Sequence, residues 1–309
     1  MGVAGRYGLT HPILLSLATL LFFISLSACH KTESEQNESA GKRRITVTFE
    51  PQRWIVEQIA GNDFDVNVLL PPGADPESYS PTVAQLRSLY DGGEWLSLNT
   101  MGVEQSLLAN LTDNGKEIKV ENVAIGIKPL EHSHGKSPQE PHHHDEGDSH
   151  DHEFADPHLW NSVRNMEVIA ANTLRKLIAL NPEKEKTYRK HYDSLYRRLR
   201  SYDDTLSESL RCRGTRAFVI RHPSLGYFAR DYGLEQIAIQ AEEKEPSAIQ
   251  MHERIDRANE SGASVMVTES GKGDDSSARE LARQLHLRLL PINTNSMLWS
   301  EEILKLKDL

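Results

Sequence analysis

The chain has 309 residues, 38% hydrophobic and 26% charged, enough for about two folded domains of ordinary size. Its net charge of −10 argues against a nucleic-acid partner, which normally needs a basic face. Only Cys29 and Cys212 are present, which excludes a Cys-rich metal site.

The first 28 residues have the form of a signal peptide. Arg6 supplies a positive start, and Ile13 to Leu26 is apolar but too short for a comfortable membrane span. The segment ends Leu26-Ser27-Ala28-Cys29, so Cys29 is the expected lipidated first residue of the mature protein and 29–44 a polar tether. Cys212 then has no disulfide partner.

Ile45–Phe49 alternates like a strand, with Pro51 stopping it, and Trp54–Ala60 has helical periodicity. Strands are expected at 66–70, 95–98 and 118–120, with helices at 82–90 and 103–111 between them. Asn161–Leu180 is predicted helical, and Asn181-Pro182 breaks it. From Glu183 to about Leu210 runs one long charged helix with a thin stripe of Tyr188, Tyr192, Leu195, Leu199, Tyr202, Leu206 and Leu210, a spine in character rather than a core element. A second alternation follows: strands at 217–220, 236–239, 264–267 and 288–292, helices at 225–232, 246–258, 275–285 and 299–306. Strands alternating with helices predict an α/β fold with mainly parallel sheets. The expected division is a first lobe at 45–181, a linking helix at 182–211 and a second lobe at 212–309.

Residues 131–153 stand apart. They hold His132, His134, His142, His143, His144, His150 and His152, seven of the chain's fourteen histidines, alternating with carboxylates. So few apolar residues cannot build a core, and neutral imidazole is a common ligand for zinc, copper and nickel. The run is internal, which favours metal capture over a merely soluble tract. Three further candidate ligands sit at loop or turn positions: Glu77 after the second strand, His158 in an Asp-Pro-His turn, and His222 just past strand 217–220. Ligands of open α/β sheets lie beyond the carboxyl ends of strands, so one cation could bridge the two halves. Two imidazoles and a carboxylate make a reasonable zinc shell. Taken singly, each has a plain alternative: a surface carboxylate, a helix-start residue, a hydrogen-bonded histidine.

The leader ending at Cys29, Pro72-Gly73-Ala74-Asp75-Pro76-Glu77-Ser78-Tyr79-Ser80-Pro81, the His-rich loop, Asp156-Pro157-His158-Leu159-Trp160, His222-Pro223-Ser224-Leu225-Gly226-Tyr227-Phe228 and Lys244-Glu245-Pro246-Ser247 together resemble the zinc- and manganese-type solute-binding lipoproteins of metal ABC transporters. The resemblance spans about residues 45–309. It implies two α/β lobes joined by a rigid helix, a metal between them, and delivery to a membrane permease. By motif position it carries His158 and His222 over as ligands. Glu77 stands where the family usually has His, a harder donor that loosens a strict zinc preference. Asn295 stands where manganese-type members have Asp; its amide oxygen is a weaker donor and leaves room for water at the fourth position. Glu269 has the character of a surface residue.

The expected cargo is zinc (Zn2+), with manganese (Mn2+) as the alternative. The expected partners are an ABC permease and, through Cys29, the membrane; the expected place is the cell envelope, lipid-anchored on its periplasmic or extracellular face, and the expected state a monomer. No enzymatic activity is expected: a metallohydrolase needs a general base beside a bound water, and the chain has neither His-Glu-x-x-His nor Gly-x-Ser-x-Gly. A surface adhesin or zinc buffer without a transport role is the competing reading.

Overall fold

The computed structural model describes residues 1–2, 42–110, 118–130, 156–240, 247–269 and 276–309. The signal segment with Cys29, and the seven histidines of 131–153, lie outside the described residues. The chain divides into two units, Met1–Lys42 and Arg43–Leu309, and the strands and helices of the described residues lie in the second.

The first lobe contains strands β1 (Arg43–Val47), β2 (Phe64–Val68), β3 (Glu94–Ser97) and β4 (Lys119–Asn122), with helices α1 (Glu50–Ala60), α2 (Val83–Gly92) and α3 (Gly102–Asn110). Helix α4 (Val163–Leu180) leads through a 3-10 turn, Pro182–Lys184, into the long α5 (Glu185–Arg213). The second lobe contains β5 (Ala217–Ile220), α6 (Gly226–Tyr232), β6 (Glu235–Ala238), α7 (Ala248–Ser261), β7 (Val265–Glu269), α8 (Ser276–Gln284), β8 (Arg288–Ile292) and α9 (Trp299–Leu304). Both sheets are wholly parallel and share one topology, β2-β1-β3-β4 and β6-β5-β7-β8. The two-lobe α/β expectation therefore holds. In each lobe the strand order reverses beside the first strand, which opens a crevice at the carboxyl ends of the strands.

Burial explains the patterning. Phe218 and Ile220 face one large apolar cluster that also takes in Ile45, Val47, Ile55, Leu96, Val267, Trp299 and Ile303, and so runs through both lobes. Ala217 and Val219 face a smaller cluster with Ile237, Met266, Ala258, Ala278 and Ala282. Both faces of β5 are covered, as a parallel strand requires. Trp54 meets Trp299 with ring centroids 5.5 Å apart, and Phe49 meets Trp160 at 4.5 Å.

Three expectations need correction. Pro51 does not end a strand; it lies in the first turn of α1, where its fixed φ and missing N–H are tolerated. The turn starts early because Gln52 Oε1 accepts from Thr48 N at 2.8 Å while Gln52 Nε2 donates to Leu96 O. Asn161 is not in α4: Leu159–Asn161 is a 3-10 turn, and Ser162 caps the helix by accepting from Asn165 N at 3.0 Å. The long helix is a core element as well as a spine. At about 1.5 Å per residue its 29 residues reach roughly 43 Å. Tyr188, Leu195, Leu199, Leu206 and Leu210 are buried along it, packed against α1, α4 and the C-terminal 3-10 turn Lys305–Asp308. A thin stripe suffices because neighbours from both lobes cover it. Gly214, at φ 69°, ends it in the left-handed region that glycine adopts without strain.

Candidate metal centre

Glu77 sits in the loop that leaves the carboxyl end of β2. Asp75 shapes this loop by accepting from Glu77 N at 3.2 Å and Ser78 Oγ at 3.1 Å, an Asx-type turn. Gly102, at the start of α3, packs against the loop; a Cβ there would lie 2.6 Å from Glu77 O, so only glycine lets the two backbones approach. The neighbouring loop is drawn in by the fully buried Glu104, whose carboxylate accepts from Leu98 N, Thr100 N and Thr48 Oγ1.

His158 is 2% exposed. One oxygen of the buried Asp156 accepts from both His158 N and His158 Nδ1, each at 2.9 Å. A carboxylate on Nδ1 leaves the lone pair on Nε2, the arrangement that orients metal-binding imidazoles. Burial lowers the His158 pKa, but the hydrogen bond and charge of Asp156, then the charges of Glu77 and Glu269, outweigh it and hold the pKa above 6.5.

His222 follows β5 by two residues. Its carbonyl accepts from Ser224 N at 2.8 Å, and Ser224 Oγ donates to Glu269 Oε1 at 2.7 Å. Glu269 is half-buried at the end of β7 and bears on His158, so its expected surface character is wrong. A strand-end carboxylate reads as solvated when its partner lies 45 residues away.

The structure brings Glu77, His158 and His222 together. His158 Nε2 lies 3.3 Å from His222 Nε2, Glu77 Oε1 3.5 Å from His158 Nε2, and Glu77 Oε2 3.5 Å from His222 Nε2. A tetrahedron with zinc bonds of about 2.0–2.1 Å has edges of about 3.3–3.4 Å. The two imidazole Nε2 atoms thus have the spacing of one tetrahedron edge, and the Glu77 carboxylate faces both, presenting a different oxygen to each. Asn295 lies beyond the carboxyl end of β8, in the turn where Asn295 N donates to Asn293 Oδ1. Its own Oδ1 is buried without a hydrogen-bond partner among the described residues. Cys212 is exposed at the end of α5.

Two residues behind the site escaped sequence reasoning. Asp156 was visible only as part of a turn, although an Asp two residues before a His is itself a signal for such a bond. Asn161 donates from Nδ2 to Ser224 O at 2.8 Å and ties the His158 segment to the His222 segment; nothing in the sequence pairs residues 63 positions apart.

The family model for the periplasmic zinc-uptake complex component A, ZnuA, matches residues 45–301. The chain belongs to this family of zinc-binding solute-binding proteins. Zinc-binding lipoprotein AdcA of Streptococcus pneumoniae is 29% identical over 243 residues, which cover 78% of this chain and 46% of AdcA. The chain thus matches about half the length of such curated relatives. A crystal structure of ZnuA, 28% identical, superposes with a TM-score of 0.73 over 85% of this chain and 96% of that one. A cadmium-bound periplasmic metal-binding protein from Candidatus Liberibacter asiaticus, at 20% identity, a TM-score of 0.71 and coverage of 86% and 99%, shares the fold. Among the described residues, no helix of this ZnuA-family chain is long and apolar enough to cross a membrane.

Proposed function

We propose that this chain is the extracytoplasmic capture subunit of an ABC importer, binding zinc between its lobes and handing it to a membrane permease. Zinc is held by one carboxylate oxygen of Glu77, His158 Nε2 and His222 Nε2. Asn295 Oδ1 or a water completes the tetrahedron. The observation that carries this reading is the convergence of two imidazole Nε2 atoms, 3.3 Å apart, on one carboxylate whose two oxygens each lie 3.5 Å from one ring, a donor set that suits zinc. Two neutral imidazoles favour zinc over manganese, which prefers oxygen donors.

In this reading the protein is a monomeric binding protein rather than an enzyme, held at the cell envelope by lipid on Cys29. The histidines of 132–152 gather metal weakly and raise its concentration near the tight site. Deleting residues 132–152 leaves the tight site intact; loss of tight binding on that deletion would move the main site into the loop. The transport role is tested by growth in zinc-limited medium. Cells lacking the protein should stall, recover with the wild-type chain and stay stalled with His158→Ala. Recovery with His158→Ala, or no stall at all, would favour a buffer or adhesin without a transport role.

A further inference from the structure

We infer that Gly226-Tyr227 of the second lobe is a cradle that positions Asp156 and, through it, His158. This rests on His158 being a zinc ligand and goes beyond it by placing control of a first-lobe ligand in the second lobe.

The two residues act on different parts of Asp156. Tyr227 Oη donates to Asp156 O at 2.9 Å and accepts from Leu130 N at 3.1 Å. Asp156 N in turn donates to Leu130 O at 2.9 Å. One hydroxyl therefore holds both ends of the segment that carries the histidine run. Tyr227 is fully buried, and burial pushes its pKa up to about 12, so the hydroxyl keeps its proton. Gly226 acts by being small. A Cβ there would lie 2.6 Å from Asp156 Oδ2 and 3.6 Å from Leu130 Cδ1. Asp156 has little room to yield, because it is buried and its other oxygen already accepts two bonds from His158. Gly226 is the first residue of α6 and has no positive φ, so its backbone does not require glycine. The space it leaves is for the carboxylate.

Three further bonds fasten the same segment to the second lobe. Trp299 Nε1 donates to Trp160 O at 3.0 Å, Asn161 Nδ2 to Ser224 O, and Ser162 Oγ to Asp231 Oδ2. His158 is thus held by the second lobe in register with His222, while Glu77 arrives on a separate loop.

Gly226→Ala pushes the Asp156 carboxylate aside, and because overpacking a buried contact also costs stability the metal-free protein should melt somewhat earlier than wild type. The displaced Asp156 carboxylate should weaken zinc binding about 10–100-fold, the usual effect of losing a partner behind a ligand. Tyr227→Phe removes only the hydroxyl and should act in the same direction. Zinc affinity is read by competition with a chelator, metal-free melting by calorimetry, and site geometry by the visible bands of bound cobalt(II), which should shift in both variants. Unchanged zinc affinity and cobalt bands in both, alongside a clear loss in Asp156→Asn, would overturn the cradle and leave the site standing. Tight zinc binding that survives His158→Ala would overturn the site and the cradle with it. If Gly226→Ala does not fold, Tyr227→Phe alone decides.

Discussion

Asp156 grips His158 twice with a single oxygen, accepting the main-chain N–H and the ring Nδ1–H at 2.9 Å each. The ring is then fixed in rotation and tautomer, and Nε2 faces Glu77 and His222 before any metal arrives. Replacing Asp156 by Asn keeps the shape and removes the charge. Zinc affinity should fall about 10–100-fold, or roughly 1.4–2.8 kcal/mol, in a chelator competition assay. An unchanged affinity would mean that the imidazole is oriented by something else.

Acid should loosen the metal and tighten the metal-free fold at this position. The His158 pKa lies above 6.5: burial lowers it, and Asp156, Glu77 and Glu269 more than offset that. A raised folded pKa contributes stability that is fully present below the unfolded value near 6.5 and lost as pH rises through the folded one. Zinc needs the neutral ring, so its affinity should decline as pH falls through the same window. The stability difference between wild type and His158→Gln, both metal-free, should grow from about pH 8 to pH 6 while zinc affinity drops. A zinc affinity that stays flat from about pH 7.5 to 5.5 would exclude imidazole ligands.

Much of this was legible in the chain, and what was not has a physical reason. Short apolar runs bounded by turn residues located most strands, because parallel strands are covered on both faces, and helical periodicity located the helices, because each has one apolar face. Glu77, His158 and His222 stood out because each follows a strand end or opens a turn. Glu269, Asn161 and Tyr227 did not, because their roles rest on partners 45, 63 and 71 positions away. Gly226 looked like an ordinary helix start; its meaning appears only when Asp156 is seen against it.

The fourth position should set the preference between metals. Asn295 Oδ1 is a buried acceptor without a hydrogen-bond partner among the described residues. Asn295→Asp supplies a charged, harder oxygen and should raise manganese affinity more than zinc affinity. Parallel titrations of the two metals measure the ratio. An equal effect on both would place Asn295 outside the coordination sphere.

Capture should proceed without a wide hinge. The 156–162 segment is bonded to the second lobe through Asn161–Ser224, Asp156–Tyr227 and Trp160–Trp299 and to the first through Thr100–Pro157 and the Phe49–Trp160 ring contact, Trp54 meets Trp299 directly, and one apolar cluster runs through both lobes. Opening the lobes would break these together. X-ray scattering of metal-free and zinc-loaded protein should therefore give nearly the same radius of gyration. A difference of several ångströms would refute a preassembled interface.

Glu77, His158 and His222 together should make one tight site, and a calorimetric zinc titration of wild type and Glu77→Ala tests this most directly. One tight zinc site is expected, clearly weakened in Glu77→Ala, above weaker sites in the histidine loop. Tight binding indifferent to Glu77→Ala would contradict it.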